Sequence, residues 1–350
     1  MTSPSTGRSP KGTGTITVPP AARHSRIVGV GGYRPKRVVP NSELVDRINS
    51  SDEWIRERSG ITARHVAEPD ESVVDMAEAA TRQALDHAGI TAEQLDFILV
   101  ATVTHPFQTP AAAPELAARL GSTAAATDIS AACAGYCYGV AMASDMVRGG
   151  SADHVLVVGV EKLSDFTDYD DRGTAFIFGD GAGAAVIGPS DTPGIGPTVW
   201  GSDGTQRDVI SQVQPWTELR QPWSEPTNDP RLWPAIGMAG PSVFRWAVWG
   251  MAPIAQQALD RAGVTADDLD AFIPHQANVR IIDAMAKQLK LPADVPIARD
   301  ITTTANTSAA SVPLATARML ADGEAPSGGL ALQIGFGAGL VYAAQVVVLP

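Results

Sequence analysis

Helical periodicity and short apolar runs alternate along most of the chain. "QALDHAGITAEQLD" from Gln83 and "QALDRAGVTADDLD" from Gln257 match at 10 of 14 positions and lie 174 residues apart, close to half the chain length. In each copy an Ala-rich helical pattern ends at a glycine and an apolar run of strand length follows, "FILVAT" or "AFIPHQ". The pattern predicts a duplicated α/β protein, with chance similarity between Ala-rich helices as the alternative.

A weaker correspondence supports the duplication. "VLVVGV" from Val155 and "LALQIG" from Leu330 each follow an Ala/Met-rich helical pattern and a polar turn. Such short apolar runs are typical of strands buried on both faces, so we expect two packed, mostly parallel sheets with helices around them. Equivalent loops of the two halves should then meet in the middle of the molecule.

Composition is that of a globular protein. The 350 residues are 44% hydrophobic, which allows a large core, and no apolar run reaches the roughly 18 residues of a membrane span. Residues 1–23 are rich in Ser, Thr, Gly and Pro and lack the apolar segment of a secretory signal, so they predict a disordered tail. We expect a cytoplasmic protein, without membrane association, whose halves are 24–195 and 196–350. The net charge of -12 argues against general affinity for nucleic acid.

Both cysteines lie in "DISAACAGYCYGV", where small residues lead into an apolar helix. A helix that begins near Cys133 would favour the thiolate and lower the thiol pKa, and small neighbours would let a substrate reach the sulfur. The alternative is a buried apolar side chain, the role that we expect for Cys137 one turn later. A redox pair would need Cys-x-x-Cys spacing, and two cysteines with one remote histidine make a poor metal set.

Two polar residues of the C-terminal half are candidate partners for the cysteine. His275 follows a predicted strand in "FIPHQANVR", a position that presents a side chain into a cleft, with a structural histidine as the alternative. Asn306 lies in "TTTANTSAASVP" before a helix start. Capping is the commoner role there, but an amide N–H beside His275 also suits an enolate or oxyanion.

The glycine-rich "FGDGAGAA" from Phe178 raises the question of a nucleotide loop. It lacks the Walker lysine and the full G-x-G-x-x-G spacing, and an apolar strand follows where a nucleotide loop would be followed by a helix. It therefore indicates close backbone packing.

At this point the chain resembles the β-ketoacyl-acyl carrier protein synthase III family, over about residues 25–350. Six ordered motifs carry the resemblance: "SSDEWIRERSGI", "DISAACAGYCYGV", "DRGTAFIFGDGAGAAV", "PHQANVRI", "NTSAASVP" and "GFGAGLVYAAQVV". It implies a thiolase-like α/β fold of two pseudo-symmetric halves in five αβαβα layers. Thiolases use a second, C-terminal cysteine and elongating ketosynthases use two histidines, whereas here no cysteine follows Cys137 and the C-terminal half holds one histidine. Chalcone-synthase-like enzymes share the Cys, His and Asn set, but "SDEWI" and "PHQANVR" favour the initiating synthase.

The resemblance implies a decarboxylative Claisen condensation that initiates fatty acid or related polyketide synthesis. Cys133 would take the acyl group of an acyl-CoA, and His275 and Asn306 would stabilise the enolate formed from malonyl-acyl carrier protein. Backbone N–H groups of Cys133 and of the "GFGAG" turn would hold the tetrahedral oxyanion. No metal or organic cofactor is expected, because acyl-CoA is a substrate and decarboxylation supplies the nucleophile. The alternatives are a specialised acyltransferase or a starter-unit ketosynthase of secondary metabolism, while the intact catalytic set disfavours a non-catalytic scaffold.

Further substrate positions follow from the same resemblance. Three residues match positions that sandwich the adenine and contact the phosphates of CoA, with a surface ion-pair group as the alternative: Trp54, Arg58 and Arg172. Three match the pantetheine channel: Gly240, Phe244 and Asn278. Pro241 replaces a frequent asparagine, which removes one expected hydrogen bond. Thr109 matches the end of the acyl pocket, contributed across the interface of a homodimer, and its small size leaves room for branched or longer acyl groups.

Two surface features complete the sequence-based expectations. A basic patch for the acidic carrier protein is expected near "PHQAN", with a solvated helical face as the alternative; its members are Arg245, Gln276, Arg280, Lys287 and Lys290. A long connection spans about residues 205–237 and contains Trp216, Trp223 and Trp233. It is either a lid or a surface excursion fastened by its tryptophans.

Overall fold

The computed structural model describes residues 23–219 and 233–350. Its strands are β1 (His24–Tyr33), β2 (Arg37–Pro40), β3 (Ala63–Val66), β4 (Phe97–Ala101), β5 (Ala125–Ile129), β6 (Val155–Glu161), β7 (Gly181–Ser190), β8 (Val199–Ser202), β9 (Ile210–Gln212), β10 (Ile236–Met238), β11 (Ala271–Pro274), β12 (Leu330–Gly337) and β13 (Val341–Val348). Its α-helices are α1 (Asp52–Ser59), α2 (Val73–Ala88), α3 (Ala112–Leu120), α4 (Gly135–Gly149), α5 (Gly240–Ala262), α6 (Val279–Leu289), α7 (Ile301–Thr304) and α8 (Ser311–Ala321).

Two central sheets have matching strand orders. The first runs β1-β7-β6-β4-β5 and the second runs β8-β13-β12-β11. The orders correspond strand for strand except at β5, whose counterpart in the second sheet is a single parallel bridge between Phe272 and Ile297. The predicted duplication is therefore confirmed by topology, whereas the boundary between residues 195 and 196 stays a prediction.

The prediction of mostly parallel sheets is wrong. β6 pairs in parallel with β4 but antiparallel with β7, and β12 pairs in parallel with β11 but antiparallel with β13. A strand that is covered on both faces is apolar throughout whichever way its neighbour runs. The hydrophobic pattern therefore identifies these strands without giving their direction.

Helices cover and separate the sheets in three layers. α2 and α3 pack on the outer face of the first sheet, α4 and α8 lie between the sheets, and α5 and α6 cover the second sheet. The predicted five-layer αβαβα arrangement is confirmed. This packing brings the first turns of α4 and α8 together in the centre of the molecule.

The predicted helix ends are also found. α2 ends at Gly89 with φ 67° and α5 ends at Gly263 with φ 71°, left-handed conformations that glycine adopts without steric cost. No helix within residues 23–219 and 233–350 is long and apolar enough to cross a membrane.

The predicted tail needs one correction. Its residues 1–22 lie outside the described part, but Arg23 belongs to the folded body. The Arg23 guanidinium donates to the carbonyl oxygens of Val147 and Ala152 and forms an ion pair with Asp153. The Arg23 side chain is therefore held against the end of α4 and the residues that precede β6.

Candidate active site

Two short 3-10 turns of related conformation pack against each other at the centre of the site. Ala132–Ala134 leads into α4, and Ser308–Ala310 leads into α8. Ala132 has φ 43° and Ser308 has φ 47°, values that side-chain-bearing residues adopt only where their surroundings enforce them. The two strained residues occupy equivalent positions in the two halves.

Glycines on the central strands allow the turns to approach. A Cβ atom on Gly159 of β6 would lie 2.1 Å from the carbonyl oxygen of Ala309, and one on Gly335 of β12 would lie 2.8 Å from the carbonyl oxygen of Cys133. Each half therefore supplies the glycine against which the turn of the other half packs. The glycine-rich segment at Phe178 behaves similarly, because a Cβ on Gly179 would lie 2.3 Å from the Thr304 carbonyl oxygen, which confirms its packing role.

Cys133 lies directly before α4, as the sequence predicts. Its side chain is half-buried and lines a cavity of about 660 Å³. The backbone N–H groups of Cys133 itself and of Ala338, within "GFGAG", both favour the thiolate by hydrogen bonding. These are the two positions where the sequence places oxyanion donors. Cys137 is buried in the core, which confirms its packing role.

The predicted lowering of the Cys133 pKa is wrong. Burial raises the pKa of this thiol to about 11, and the negative charge of Glu161 acts in the same direction. Hydrogen bonds from the Ser308 hydroxyl and the two backbone N–H groups oppose this rise without overcoming it. The resting thiol therefore carries its proton at neutral pH.

His275 follows β11 and is 2% exposed. Its Nδ1 lies 2.7 Å from the Ser311 hydroxyl, and its ring meets Phe336 edge-on. The Ser311 oxygen also accepts the Gln276 backbone N–H at 3.4 Å. We assign the Ser311 proton to Nδ1, which leaves the imidazole proton on Nε2. Burial lowers the pKa of His275 to about 3, which keeps the ring neutral.

Asn306 precedes the second turn and partly has the capping role expected of it. Its Oδ1 accepts the Ser308 backbone N–H at 2.8 Å, and its backbone is fixed by a bridge to Phe178. Its Nδ2 has no hydrogen-bond partner within the described residues. One end of the amide is thus anchored, and the other keeps its donors.

The three predicted catalytic residues converge although they come from distant parts of the sequence. Cys133 packs on β12 through Gly335 and Gly337, His275 contacts β12 through Phe336, and the turn after Asn306 packs on the Cys133 turn. The expectation that equivalent loops meet in the middle is met.

The three predicted adenine-site residues also come together. The guanidinium of Arg58 lies 5.2 Å and that of Arg172 lies 4.8 Å from the ring centre of Trp54. Neither arginine has an ion-pair partner within the described residues, so the surface ion-pair alternative finds no support. An aromatic face beside two guanidinium groups suits a nucleotide base and its phosphates.

The pantetheine positions lie at the starts of α5 and α6. Gly240 and Pro241 form the first turn of α5, where proline is favoured. The guanidinium of Arg280 lies 4.9 Å from the ring centre of Phe244. Asn278 caps α6 through Oδ1 and donates from Nδ2 to the carbonyl oxygen of Arg58 at 2.9 Å. Its amide therefore connects this region to the predicted adenine site.

One member of the predicted basic patch is misplaced. Gln276 is fully buried; its Nε2 donates to the carbonyl oxygens of Pro274 and Ala298, and its Oε1 accepts the Ile301 N–H. It cannot contact a carrier protein, because the residue after a buried strand is enclosed here by α7. The four other members are exposed: Arg245, Arg280, Lys287 and Lys290.

The tryptophan-rich connection is described over residues 205–219 and 233–237, where a fastening contact is found and the lid role stays a prediction. Trp216 lines the cavity that contains Cys133. Trp233 fastens the connection, since its Nε1 donates to the Asp165 carbonyl oxygen at 2.6 Å and its ring packs on Phe166. Trp223 lies outside the described residues. Thr109 is exposed and does not line the cavity of its own chain.

Sequence reasoning missed the polar residues behind the nucleophile and the histidine. Ser308 and Ser311 stand within the quoted motif "NTSAASVP", but the Ser308 hydroxyl meets Glu161 only when the halves dock, and the Ser311 hydroxyl meets His275 from a distant part of the same half. Glu161 is fully buried at the end of β6. The sequence shows it only as an acidic residue at the end of an apolar run, which does not identify a functional role. Within the described residues no cluster of His, Cys, Asp or Glu could hold a metal ion.

Comparison with known proteins identifies close relatives. Residues 127–204 match the family model described as 3-oxoacyl-[acyl-carrier-protein (ACP)] synthase III, and residues 259–349 match the model of its C-terminal part. The chain is 60% identical over 330 residues to the β-ketoacyl-[acyl-carrier-protein] synthase III of Streptomyces glaucescens, covering 94% of this chain and 97% of that relative.

Two solved structures extend the similarity to the fold. The priming β-ketosynthase from the R1128 polyketide biosynthetic pathway superposes with a TM-score of 0.91 at 47% identity, covering 96% of this chain and 98% of the other. The 3-oxoacyl-(acyl carrier protein) synthase III of Pseudomonas aeruginosa PAO1 gives 0.85 at 38% identity, covering 94% and 99%.

Proposed function

Since the chain belongs to the 3-oxoacyl-[acyl-carrier-protein] synthase III family, whose members are acyltransferase-type ketosynthases, we propose that it condenses an acyl-CoA starter with malonyl-acyl carrier protein. The product is a 3-oxoacyl-acyl carrier protein, formed through an acyl group on Cys133. The observation that supports this assignment is that Cys133, which lines the cavity, packs on the same strand β12 that His275 contacts, while the turn after Asn306 packs on the Cys133 turn.

In the first step the Cys133 sulfur attacks the thioester carbon and CoA leaves. The backbone N–H groups of Cys133 and Ala338 lie beside the sulfur, so they stabilise the oxyanion of the tetrahedral intermediate. The mainly apolar cavity wall suits an acyl chain; Val103, Phe107, Leu163, Phe166 and Ile210 belong to it.

In the second step malonyl-acyl carrier protein loses carbon dioxide, and the resulting enolate attacks the acyl group on Cys133. His275 donates from Nε2 and Asn306 donates from Nδ2 to the enolate oxygen. A neutral imidazole suits this task because it donates a proton in a hydrogen bond without transferring it. No step requires a metal or organic cofactor, since decarboxylation supplies the carbon nucleophile.

Recognition of CoA is assigned to the cluster of Trp54, Arg58 and Arg172. The adenine stacks on Trp54 and the two guanidinium groups bind phosphates. The exposed side chains of Arg245, Arg280 and Lys287 attract the acidic carrier protein locally, despite the net charge of -12. Arg280→Ala with Lys287→Ala should raise KM for the carrier protein without changing Cys133 acylation, and the effect should shrink at high salt.

A homodimer completes the acyl pocket in this proposal. β5 forms an edge of the first sheet, and Phe107 nearby is 63% exposed. An uncovered edge strand with apolar neighbours is a site for association. Because Thr109 is exposed and absent from its own cavity, it is available to the cavity of a second subunit. The molar mass from light scattering tests this, and a monomer would contradict it.

The starter and pathway follow from different observations. The high identity to the Streptomyces glaucescens synthase favours initiation of fatty acid synthesis, while the likeness to a priming β-ketosynthase of a polyketide pathway favours a starter unit of secondary metabolism. A cavity of about 660 Å³ accommodates branched and longer acyl groups as well as acetyl. A cytoplasmic location stays a prediction.

The assignment is tested by sequential addition of substrates. The protein is incubated with acetyl-, isobutyryl- or long-chain acyl-CoA, its mass is measured, and malonyl-acyl carrier protein is then added. We expect the acyl mass to appear and then to leave as 3-oxoacyl-acyl carrier protein. Acyl transfer to an alcohol or amine without malonyl-acyl carrier protein would instead indicate the acyltransferase alternative, and no acyl mass would indicate a scaffold.

A further inference from the structure

Glu161 is a buried carboxylate that the steps above do not use. Its two oxygens have different surroundings. Oε2 accepts three hydrogen bonds, from the Val103 N–H at 3.1 Å and from the hydroxyls of Thr102 at 3.3 Å and Thr104 at 2.8 Å. Oε1 accepts one within the described residues, from the Ser308 hydroxyl at 3.2 Å. A proton that reaches Glu161 therefore binds Oε1, the oxygen that faces Ser308.

Ser308 connects this oxygen to the nucleophile. Its hydroxyl is in hydrogen-bonding range of the Cys133 sulfur as well as of Glu161, and Ser308 lines the same cavity as Cys133. The backbone of Ser308 has a positive φ of 47°, and the hydrogen bond to Glu161 locates its hydroxyl. Because a hydroxyl accepts and donates at once, the thiol, the hydroxyl and the carboxylate form a continuous hydrogen-bonded path.

The thiol needs a proton acceptor, and His275 does not supply one. Its Nδ1 is occupied by Ser311, and in the proposed function its Nε2 carries the proton that is donated to the enolate. Asp128 lines the cavity but is engaged at the start of α3, where it accepts two backbone N–H groups, and Lys162 binds carbonyl oxygens. His105 also lines the cavity, but no hydrogen bond within the described residues joins it to Cys133, whereas Ser308 bonds both Cys133 and Glu161.

We propose that Ser308 and Glu161 form a proton relay for Cys133 during acyl transfer, an inference that rests on the proposed function. The thiol proton passes to the Ser308 oxygen while the Ser308 proton passes to Oε1 of Glu161. The sulfur electron pair forms the bond to the acyl carbon, the bond from that carbon to CoA breaks, and CoA leaves as a thiolate that takes a proton from water. During condensation Cys133 is released as a thiolate and recovers the proton by the reverse path.

The pKa of Glu161 suits proton transfer from Cys133 as well as proton return to it. Burial raises the pKa of this carboxyl to about 7, so it can accept and release a proton near neutral pH. The relay matters most when a bound acyl-CoA fills the cavity, because water then cannot take the thiol proton.

The test compares two reactions of Cys133 in the wild type, Glu161→Gln and Ser308→Ala. Acylation by acetyl-CoA and alkylation by iodoacetamide are followed by intact mass from about pH 5 to about pH 9. Iodoacetamide is small and leaves the cavity open to water, so alkylation reports the thiol pKa alone. Loss of the Glu161 charge lowers that pKa and should accelerate alkylation at neutral pH, whereas acylation should slow at least about tenfold.

Two further results are expected. Wild-type acylation should rise with pH through about 7, as Glu161 loses its proton and becomes an acceptor, and Glu161→Gln should lack that rise. Ser308→Ala should slow acylation as much as Glu161→Gln does, and the double variant should be no slower than either single one, since both break one path.

Asp180→Asn is the matched control. Asp180 is another fully buried carboxylate, held by the Ala67 N–H and by Ser164, and burial raises its pKa to about 6. The acylation rate of Asp180→Asn should stay within about twofold of the wild-type rate. A change of that size is smaller than the loss of one hydrogen bond would cause. Thermal unfolding verifies that each variant folds. If Glu161→Gln does not fold, the acylation rate of Ser308→Ala tests the relay instead.

The relay is overturned if alkylation and acylation accelerate together in Glu161→Gln, which would make Glu161 only a charge near the thiol. It is equally overturned if Ser308→Ala acylates at the wild-type rate. If the proposed function is wrong, the result is different, because the wild-type protein itself is then not acylated by any acyl-CoA.

Discussion

The two turns at the centre of the site share a backbone but differ in side chains. Ala131–Gly135 reads Ala-Ala-Cys-Ala-Gly, and 307–311 reads Thr-Ser-Ala-Ala-Ser. Both contain a positive φ at the second position, both form a 3-10 turn, and both continue as a helix between the sheets. One turn supplies the nucleophile, and Ala309 occupies the equivalent position in the other.

The difference shows how a duplicated fold divides one reaction between its halves. The backbone geometry is kept because each turn packs on a glycine of the opposite half, Gly335 or Gly159. The side chains of the second turn are then free to serve the first. Ser308 faces Cys133, and Ser311 orients His275.

The largest expected effect separates the two steps. His275→Ala or Asn306→Ala should still accept an acyl group on Cys133 but should lose about 10²–10³-fold in condensation, because each removes one donor to the enolate oxygen. Intact mass measures the acyl group, and formation of 3-oxoacyl-acyl carrier protein measures the second step. Equal losses in both steps would contradict the division of labour between the halves.

The second prediction concerns the backbone that the two turns share. Gly159→Ala and Gly335→Ala should each destabilise the protein by about 1–3 kcal/mol, since the added methyl group meets backbone atoms of the opposite turn. Gly149→Ala is the control, because a Cβ there meets open space near the end of α4. It should stabilise by roughly 0.5–1 kcal/mol in urea unfolding. Destabilisation confined to one of the two central glycines would show that the packing is not reciprocal.

A smaller effect is expected where the second turn orients the histidine. Ser311→Ala removes the donor to Nδ1 of His275, so the proton is no longer held on Nε2. Condensation should slow about tenfold, because that factor corresponds to the free energy of one hydrogen bond in a buried site. Acylation should be unchanged. Ser311→Thr keeps the hydroxyl and should recover most of the rate. Acylation that falls in parallel would indicate general disruption of the site.

The smallest effect concerns stability against acid. Burial lowers the pKa of His275 to about 3 in the folded protein, below its ordinary value of 6.5. The stability from this group is therefore present above pH 6.5 and is lost as the pH falls toward 3, because the unfolded chain binds a proton that the fold excludes. His275→Gln should flatten the dependence of Tm on pH between about 6.5 and about 5. An unchanged slope would mean that the imidazole is not held neutral.

Much of this arrangement could be predicted from local sequence. Cys133 at a helix start, His275 at a strand end and the glycine C-caps are decided by neighbours in the chain. Trp54, Arg58 and Arg172 were located by family resemblance, and the structure places them together.

The rest depends on contacts between residues that lie far apart in sequence. The direction of the thiol pKa shift follows from burial and from Glu161, which lies far from Cys133 in sequence but near it in space. Gln276 belongs to the carrier-protein patch predicted from the sequence, yet it is buried and its Oε1 accepts the Ile301 N–H at the start of α7. Parallel and antiparallel partners of β6 and β12 leave the same apolar pattern, so strand direction could not be read from it.

Identification of the acylated residue tests the account most directly. The wild type, Cys133→Ala and Cys137→Ala are each incubated with a labelled acyl-CoA, and the label is located by peptide mass spectrometry after digestion. The account predicts one acyl group on Cys133 in the wild type and in Cys137→Ala, and none in Cys133→Ala. An acylated Cys133→Ala protein, or a label on any other residue, would contradict it.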